Sequence, residues 1–156
     1  RTNVTALIPA AERIFPVGRL DKDTTGLLLL TNDGELTNLL THPRYQVHKV
    51  YRLKIKGKIN QPQLRSLRNG VRLHDGKTAP AEVSIVKEGY SFSYLEITLH
   101  EGKNRQIRRM CEAVRINLLE LSRIQFGPIS IGTIKEGAYR ELTDAEVDDL
   151  RKTTAV

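Results

Sequence analysis

The segment from Lys49 to Lys58 nearly alternates between apolar and basic residues, which strongly limits what the chain can fold into. Its apolar members are Val50, Leu53 and Ile55, and its basic members include Lys49, Arg52, Lys54 and Lys56. Successive side chains of a strand point to opposite faces of a sheet. The pattern therefore predicts a strand with one buried face and one basic face in water.

Other segments predict short strands and helices in alternation. A hairpin is predicted for Ala81–Val86 and Ser91–Leu99 around the Glu88-Gly89 turn. Helices are predicted from Asn32 or Asp33 to Pro43, over 61–68, over 105–115, over 143–150 with a capping box, and as a short first helix capped by Thr2 or Asn3. Extended segments are predicted over 13–17, 27–31, 71–73, 118–124 and 127–134. Because helices are interspersed with hairpins, we expect one α+β domain over residues 1–156 and not a doubly wound parallel sheet.

Basic residues are concentrated between His42 and Ala79, where ten lysines and arginines stand against one acid, Asp75. This block carries a net charge of +9, compared with +7 for the whole chain. Such asymmetry is typical of a surface that binds a polyanion, although a solvated basic face is the alternative. Aromatic residues make up 5% of the chain and tryptophan is absent, so a base-stacking platform for single strands is poorly supplied.

Two further features suggest the compartment. The longest uninterrupted apolar run is Leu27–Leu30, far below the roughly 20 residues that span a bilayer, so we expect no membrane segment. The single cysteine, Cys111, cannot form an internal disulfide. Together they predict a protein of the reducing cytoplasm.

Three chemical interpretations compete for the polar cluster Arg19–Gly26. Four of its residues match a calcium-binding EF-hand loop, but the twelfth position is Asn32, which cannot give a bidentate carboxylate. An aspartyl phosphotransferase would need a second acidic pair, and the pair present, Asp148-Asp149, lies in the predicted terminal helix. The third interpretation is a lone Asp nucleophile that neighbouring arginines keep ionised. In the non-catalytic alternative, Asp21 and Asp23 only cap a turn.

The same cluster opens a series of motifs that resembles the bacterial ribosomal RNA pseudouridine synthases. In chain order the motifs are Gly18-Arg19-Leu20-Asp21 with residues 23–34, His42-Pro43, Lys49-Val50-Tyr51, residues 101–110, and Leu121-Ser122-Arg123. They extend over nearly the whole chain. The resemblance implies an α+β catalytic domain with a mixed, mostly antiparallel central sheet, flanking helices and an RNA-binding cleft, and an enzyme that needs no cofactor.

The resemblance also implies roles for individual residues. The catalytic residues are Asp21 as nucleophile, Tyr51 against the target base, and Arg108 as the partner of the catalytic aspartate. The implied substrate-binding residues are Arg19, Lys49, Asn104, Arg105, Gln106 and Leu121. No metal site is expected, because the four histidines have no ligand spacing and one cysteine gives no zinc site.

The function expected from the resemblance is isomerisation of a specific uridine in ribosomal RNA to pseudouridine, on a base flipped out of its stack. Asp21 could attack the ring, attack the anomeric carbon or remove a ribose proton, and the sequence does not choose among these routes. The alternative is a non-catalytic RNA-binding or ribosome-assembly module. We expect a cytoplasmic monomer with ribosomal RNA as its partner, without an obligatory protein partner and without the small N-terminal RNA-binding domain or the first core strand of many family members.

Overall fold

A mixed sheet forms the centre of the computed structural model, which describes Thr5, Ile8 and residues 13–103 and 105–154. The strands are β1 (Phe15–Pro16), β2 (Thr25–Gly26), β3 (Leu30–Thr31), β4 (Lys49–Lys56), β5 (Arg72–Leu73), β6 (Gly76–Lys77), β7 (Glu82–Lys87), β8 (Phe92–Leu99), β9 (Leu118–Phe126) and β10 (Ile129–Ser130). The helices are α1 (Gly34–Thr41), α2 (Gln61–Asn69), α3 (Gln106–Ala113) and α4 (Asp144–Lys152). The predicted α+β class is confirmed.

The central sheet has the order β10-β9-β4-β8-β7, all antiparallel, and β2 pairs in parallel with β9. Two short pairs, β1 with β3 and β5 with β6, lie outside it. The first helix predicted at Thr2 or Asn3 lies outside the described residues. The hairpin around Glu88-Gly89 is confirmed, since β7 and β8 pair antiparallel on either side of it.

From Arg52 to Lys56 the alternation along β4 divides core from solvent as predicted. The prediction was wrong at the start of the strand, where Lys49 and Val50 are both half-buried, because Lys49 shares the face of Leu53. Leu53 and Ile55 are buried, whereas Arg52 and Lys56 are exposed. Helices α2 and α3 cover the apolar face, and their buried side chains join those of β4, β8 and β9 in the main core cluster. A second cluster packs α1 and α4 against the end of β9 and the segment 27–29.

Capping side chains fix where the helices begin. The predicted capping box at Thr143 is present, because its hydroxyl accepts from the Glu146 N–H while the Glu146 carboxylate accepts from the Thr143 N–H. Asn60 and Gln63 form the same reciprocal pair at α2. Such caps satisfy backbone donors that a helix leaves free at its first turn.

The prediction of one continuous strand over residues 27–31 was wrong. Only Leu30–Thr31 pairs there, with β1, and the strand before it is Thr25–Gly26, which pairs with β9. Leu27 and Leu29 between them are buried in the second core cluster. The apolar run therefore passes from one strand partner to another, and its burial does not come from a single sheet.

Candidate functional site

A cavity of about 270 Å³ opens where the N-terminal half of β4, the end of β8 and the start of α3 meet the loop 18–24. Its lining includes the predicted residues Asp21, Tyr51, Arg108 and Leu121 together with Arg19, Lys49, Arg105 and Gln106. This volume is close to the lower end of ordinary ligand pockets, about 300–1,000 Å³. Residues from distant parts of the chain thus meet at one concave site.

Asp21 lies on a tight turn just before β2, and the pairing of β2 with β9 attaches this turn to the central sheet. The Thr24 N–H donates to the Asp21 carbonyl at 3.0 Å, which closes the turn. After β2, the Leu27 N–H donates to the Arg123 carbonyl at 2.8 Å, and the Arg123 Nε–H donates to the Leu27 carbonyl at 3.0 Å. Asp21 is half-buried and lines the cavity. Its position therefore depends on the pairing between β2 and β9.

Arg105 and Arg108, which belong to the motif 101–110, both contact Asp23. Among the described residues, the expected pair between Arg108 and Asp21 is not formed. Arg105 holds both carboxylate oxygens of Asp23 at 3.1 Å. Arg108 places Nε 3.1 Å from Asp23 Oδ1 and donates through Nη2 to the Asp23 carbonyl at 2.6 Å. We call these contacts the Asp23 clasp. It ties the loop that carries Asp21 to the start of α3.

The two arginines of the Asp23 clasp also change the acidity of the Asp23 carboxyl. The hydrogen bond from Arg105 holds the pKa of the exposed Asp23 carboxyl below its usual value, and the Arg108 charge adds to the effect. The backbone of Arg105 is left-handed, with a φ of 49°, where non-glycine residues are uncommon. Strain of this kind is concentrated at functional sites.

Tyr51 and Arg123 lie directly opposite each other on β4 and β9 and both line the cavity. Burial lowers the pKa of the Arg123 guanidinium, and the nearby Tyr51 side chain partly opposes that effect. Leu121 is buried, and its strand partner is Leu53. Arg123 ends the Leu121-Ser122-Arg123 motif, from which no role was predicted for it, and only the strand register shows it beside Tyr51.

Gln106 and Arg19, two of the predicted substrate-binding residues, both line the cavity. The buried Gln106 uses its amide within the loop before α3, because Oε1 accepts from the Lys103 N–H at 3.0 Å and Nε2 donates to Glu101 at 2.9 Å. The substrate contact of Gln106 stays a prediction. Arg19 is exposed at the cavity, and Asn104 lies outside the described residues.

Other nucleophiles and metal ligands do not assemble in the described part of the chain. Burial raises the pKa of the Cys111 thiol to about 12, so this sulfur is un-ionised near neutral pH. No three His, Cys, Asp or Glu side chains of residues 13–103 and 105–154 come together as a metal site. Over the same residues, no helix is long and apolar enough to cross a bilayer.

The family model and the relatives that match this chain are all described as RNA pseudouridine synthases. Residues 4–113 match a family model described as RNA pseudouridylate synthase. The chain is 46% identical over 142 residues to the ribosomal large subunit pseudouridine synthase B of Bacillus subtilis, with 90% of this chain and 58% of that protein covered. It is 43% identical over 145 residues to an uncharacterized RNA pseudouridine synthase of Aquifex aeolicus, with 93% and 58% covered.

A solved structure shows the same architecture. A crystal structure of a pseudouridylate synthase superposes with a TM-score of 0.86 at 29% identity and covers 94% of this chain and 64% of that one. The chain thus spans somewhat more than half the length of the Bacillus subtilis and Aquifex aeolicus relatives. The expected pseudouridine synthase fold is confirmed.

Proposed function

The chain belongs to the RNA pseudouridylate synthase family, and from this premise we propose that it converts a specific uridine of ribosomal RNA to pseudouridine with Asp21 as the nucleophile. The observation that carries the proposal is the meeting of Asp21, Tyr51, Arg108 and Leu121 at one cavity. Plain RNA binding does not require a half-buried carboxylate at a site that faces a polyanion. The printed name of the Bacillus subtilis relative supports ribosomal RNA as the substrate class.

In this proposal the target uridine leaves its stack and enters the cavity, at a cost of about a few kcal/mol. Phosphate contacts from basic residues that line the cavity offset that cost, and Arg19 and Lys103 are among these residues. Tyr51 packs on the base, and Leu121 closes the wall behind it. The enzyme acts as a monomer in the cytoplasm and requires no metal or cofactor, since the product is an isomer of the substrate.

The Asp23 clasp gives the loop a fixed geometry before RNA arrives. A nucleophile held within reach of its target atom reacts far faster than a mobile one. The clasp also leaves the carboxylate of Asp21 in the cavity near the positive charge of Arg105.

The test uses unmodified ribosomal RNA that carries tritium at uridine C5, because pseudouridine formation releases that hydrogen. We expect release with the wild-type chain and none above background with Asp21→Asn, while thermal stability and RNA affinity stay the same. Asp148→Asn, an exposed change on α4, is the matched control and should leave the rate unchanged. RNA binding by the wild type without tritium release would contradict the proposal and favour a binding module. Normal release by Asp21→Asn would remove Asp21 from its role.

A further inference from the structure

Two cations, Lys49 and Arg123, line the cavity from the neighbouring strands β4 and β9. Arg123 is 3% exposed, and Lys49 is half-buried on β4. Both lie near the ring of Phe126, with Lys49 Nζ 5.8 Å and the Arg123 guanidinium carbon 5.3 Å from its centroid. The two positive charges therefore occupy one small region that also lines the cavity.

These charges are not neutralised by the described residues. The Arg123 Nε–H is used by the Leu27 carbonyl, but Nη2 is buried without a hydrogen-bond partner in that part of the chain. Within residues 13–103 and 105–154, neither Lys49 nor Arg123 forms an ion pair with a carboxylate. Burial lowers the pKa of both groups, and the Arg123 charge lowers that of Lys49 further. Buried charges without partners oppose folding, so an anion that enters the cavity would be strongly favoured there.

The reaction supplies such an anion, and this step rests on the proposed function. If Asp21 attacks the anomeric carbon, a C1′–O bond forms, the C1′–N1 bond breaks and its electron pair stays on the base as a uracil anion. If Asp21 removes the C2′ proton, the same pair leaves with the base. If Asp21 adds to ring carbon C6, the C5–C6 π pair moves toward C5 and O4. Every route therefore places negative charge on the ring and its carbonyl oxygens first. C5 then bonds to C1′, with the C1′–N1 bond broken and Asp21 released from C1′ or C6, or its proton returned to C2′. C5 finally loses its proton and N1 gains one.

We propose that Lys49 and Arg123 form an anion hole that binds the uracil carbonyl oxygens and stabilises the negative charge that develops on the ring. Donors that are fixed before the reaction stabilise developing charge most effectively in a site shielded from water. Arg123 meets that condition through the bond from its Nε–H to the Leu27 carbonyl at 3.0 Å. The same guanidinium that braces β2 also belongs to the cavity lining and carries the unpartnered Nη2.

Lys49 gives the sharper test, because Arg123 also holds the backbone at Leu27. In Lys49→Met the chain keeps a side chain of similar length and loses only the charge. We expect the single-turnover rate of pseudouridine formation to fall by about 10²- to 10³-fold, the range for loss of one oxyanion donor. The melting temperature should rise, since an unpaired buried charge has been removed. Lys56→Met, on the exposed face of the same strand, is the matched control and should change neither quantity.

A second measurement separates charge stabilisation from simple positioning. RNA with 5-fluorouridine at the target has a ring that carries negative charge more easily, because fluorine withdraws electrons. The rate at which Lys49→Met consumes this nucleoside should therefore be reduced less than its rate on uridine. An unchanged rate, an equal loss on both RNAs, or a lower melting temperature for Lys49→Met would each refute the anion hole while the proposed function stands. A wild-type chain that releases no tritium would instead refute the proposed function, and the anion hole with it.

Discussion

Both the fold and the site depend on the absence of a side chain at Gly26. Replacing this glycine with alanine should therefore damage both. Its φ is 113°, in the region that favours glycine. A Cβ at this position would collide with the Arg123 carbonyl oxygen and lie 2.6 Å from the Arg123 nitrogen and 2.8 Å from Ser122 Oγ. Two of these three atoms belong to the backbone of β9, which cannot move without disturbing the whole sheet.

The expected cost follows from three contributions. The unfavourable φ costs an alanine about 1–3 kcal/mol. Separating β2 from β9 loses the bond from the Leu27 N–H to the Arg123 carbonyl, about 1 kcal/mol. It also leaves the buried Arg123 Nε–H without its acceptor, about 1–3 kcal/mol. Partial relaxation reduces the sum, so we expect Gly26→Ala to lower the free energy of unfolding by about 3–5 kcal/mol.

Urea unfolding of the wild type and the variant measures this loss directly. Gly34→Ala is the control, since Gly34 opens α1, has no positive φ, and a methyl group added there would meet no atom within 4 Å. There we expect a gain of about 0.4–1 kcal/mol, because alanine loses less chain entropy on folding. A loss below about 1 kcal/mol for Gly26→Ala would refute the claim that β2 is held rigidly against β9.

Two further changes test the loop and the C-terminal helix. Asp23→Asn removes the charge of the Asp23 clasp, so we expect the single-turnover rate to fall by up to about 10²-fold through misplacement of Asp21; a rate equal to that of Asp148→Asn would contradict this. The Arg140 guanidinium holds the pKa of Glu146 at about 2, below its usual 4.5, so this carboxylate stabilises the fold above pH 4.5 and loses that effect as the pH falls toward 2. Glu146→Gln should therefore show a smaller drop in melting temperature between those two pH values than the wild type, and parallel curves would exclude the pair as a source of acid sensitivity.

Local patterns predicted most of the fold because they act over a few residues. The alternation of β4 from Arg52 to Lys56 and the Thr143 capping box needed no knowledge of distant partners, and both are confirmed. The run 27–31 failed because apolar character shows burial but not which strand lies alongside. The joining of Asp21, Tyr51 and Arg108 was expected only from resemblance, since no local pattern relates positions so far apart in the chain.

Charge counting overstated how much of the basic block is available to RNA. Arg68 donates from Nε and Nη2 to the Val83 carbonyl at 3.1 and 2.8 Å, which joins α2 to β7. Arg52 pairs with Glu96 across two strands at 3.0 Å. Both residues therefore use donors within the fold. Composition counts charges, whereas only the structure shows which of them are already satisfied.

A one-residue irregularity explains why Arg123 could not be placed from sequence. At the start of β4, Lys49 pairs with Phe126 and Val50 with Gln125, a register that would set Tyr51 against Ile124 and Arg123 against Arg52. A shift between Val50 and Tyr51 instead brings Arg123 opposite Tyr51. Paired residues share a face of the sheet, so the shift moves Arg123 from the solvent face to the cavity. Bulges often redirect a side chain beside an active site, and this one delivers the second cation of the proposed anion hole.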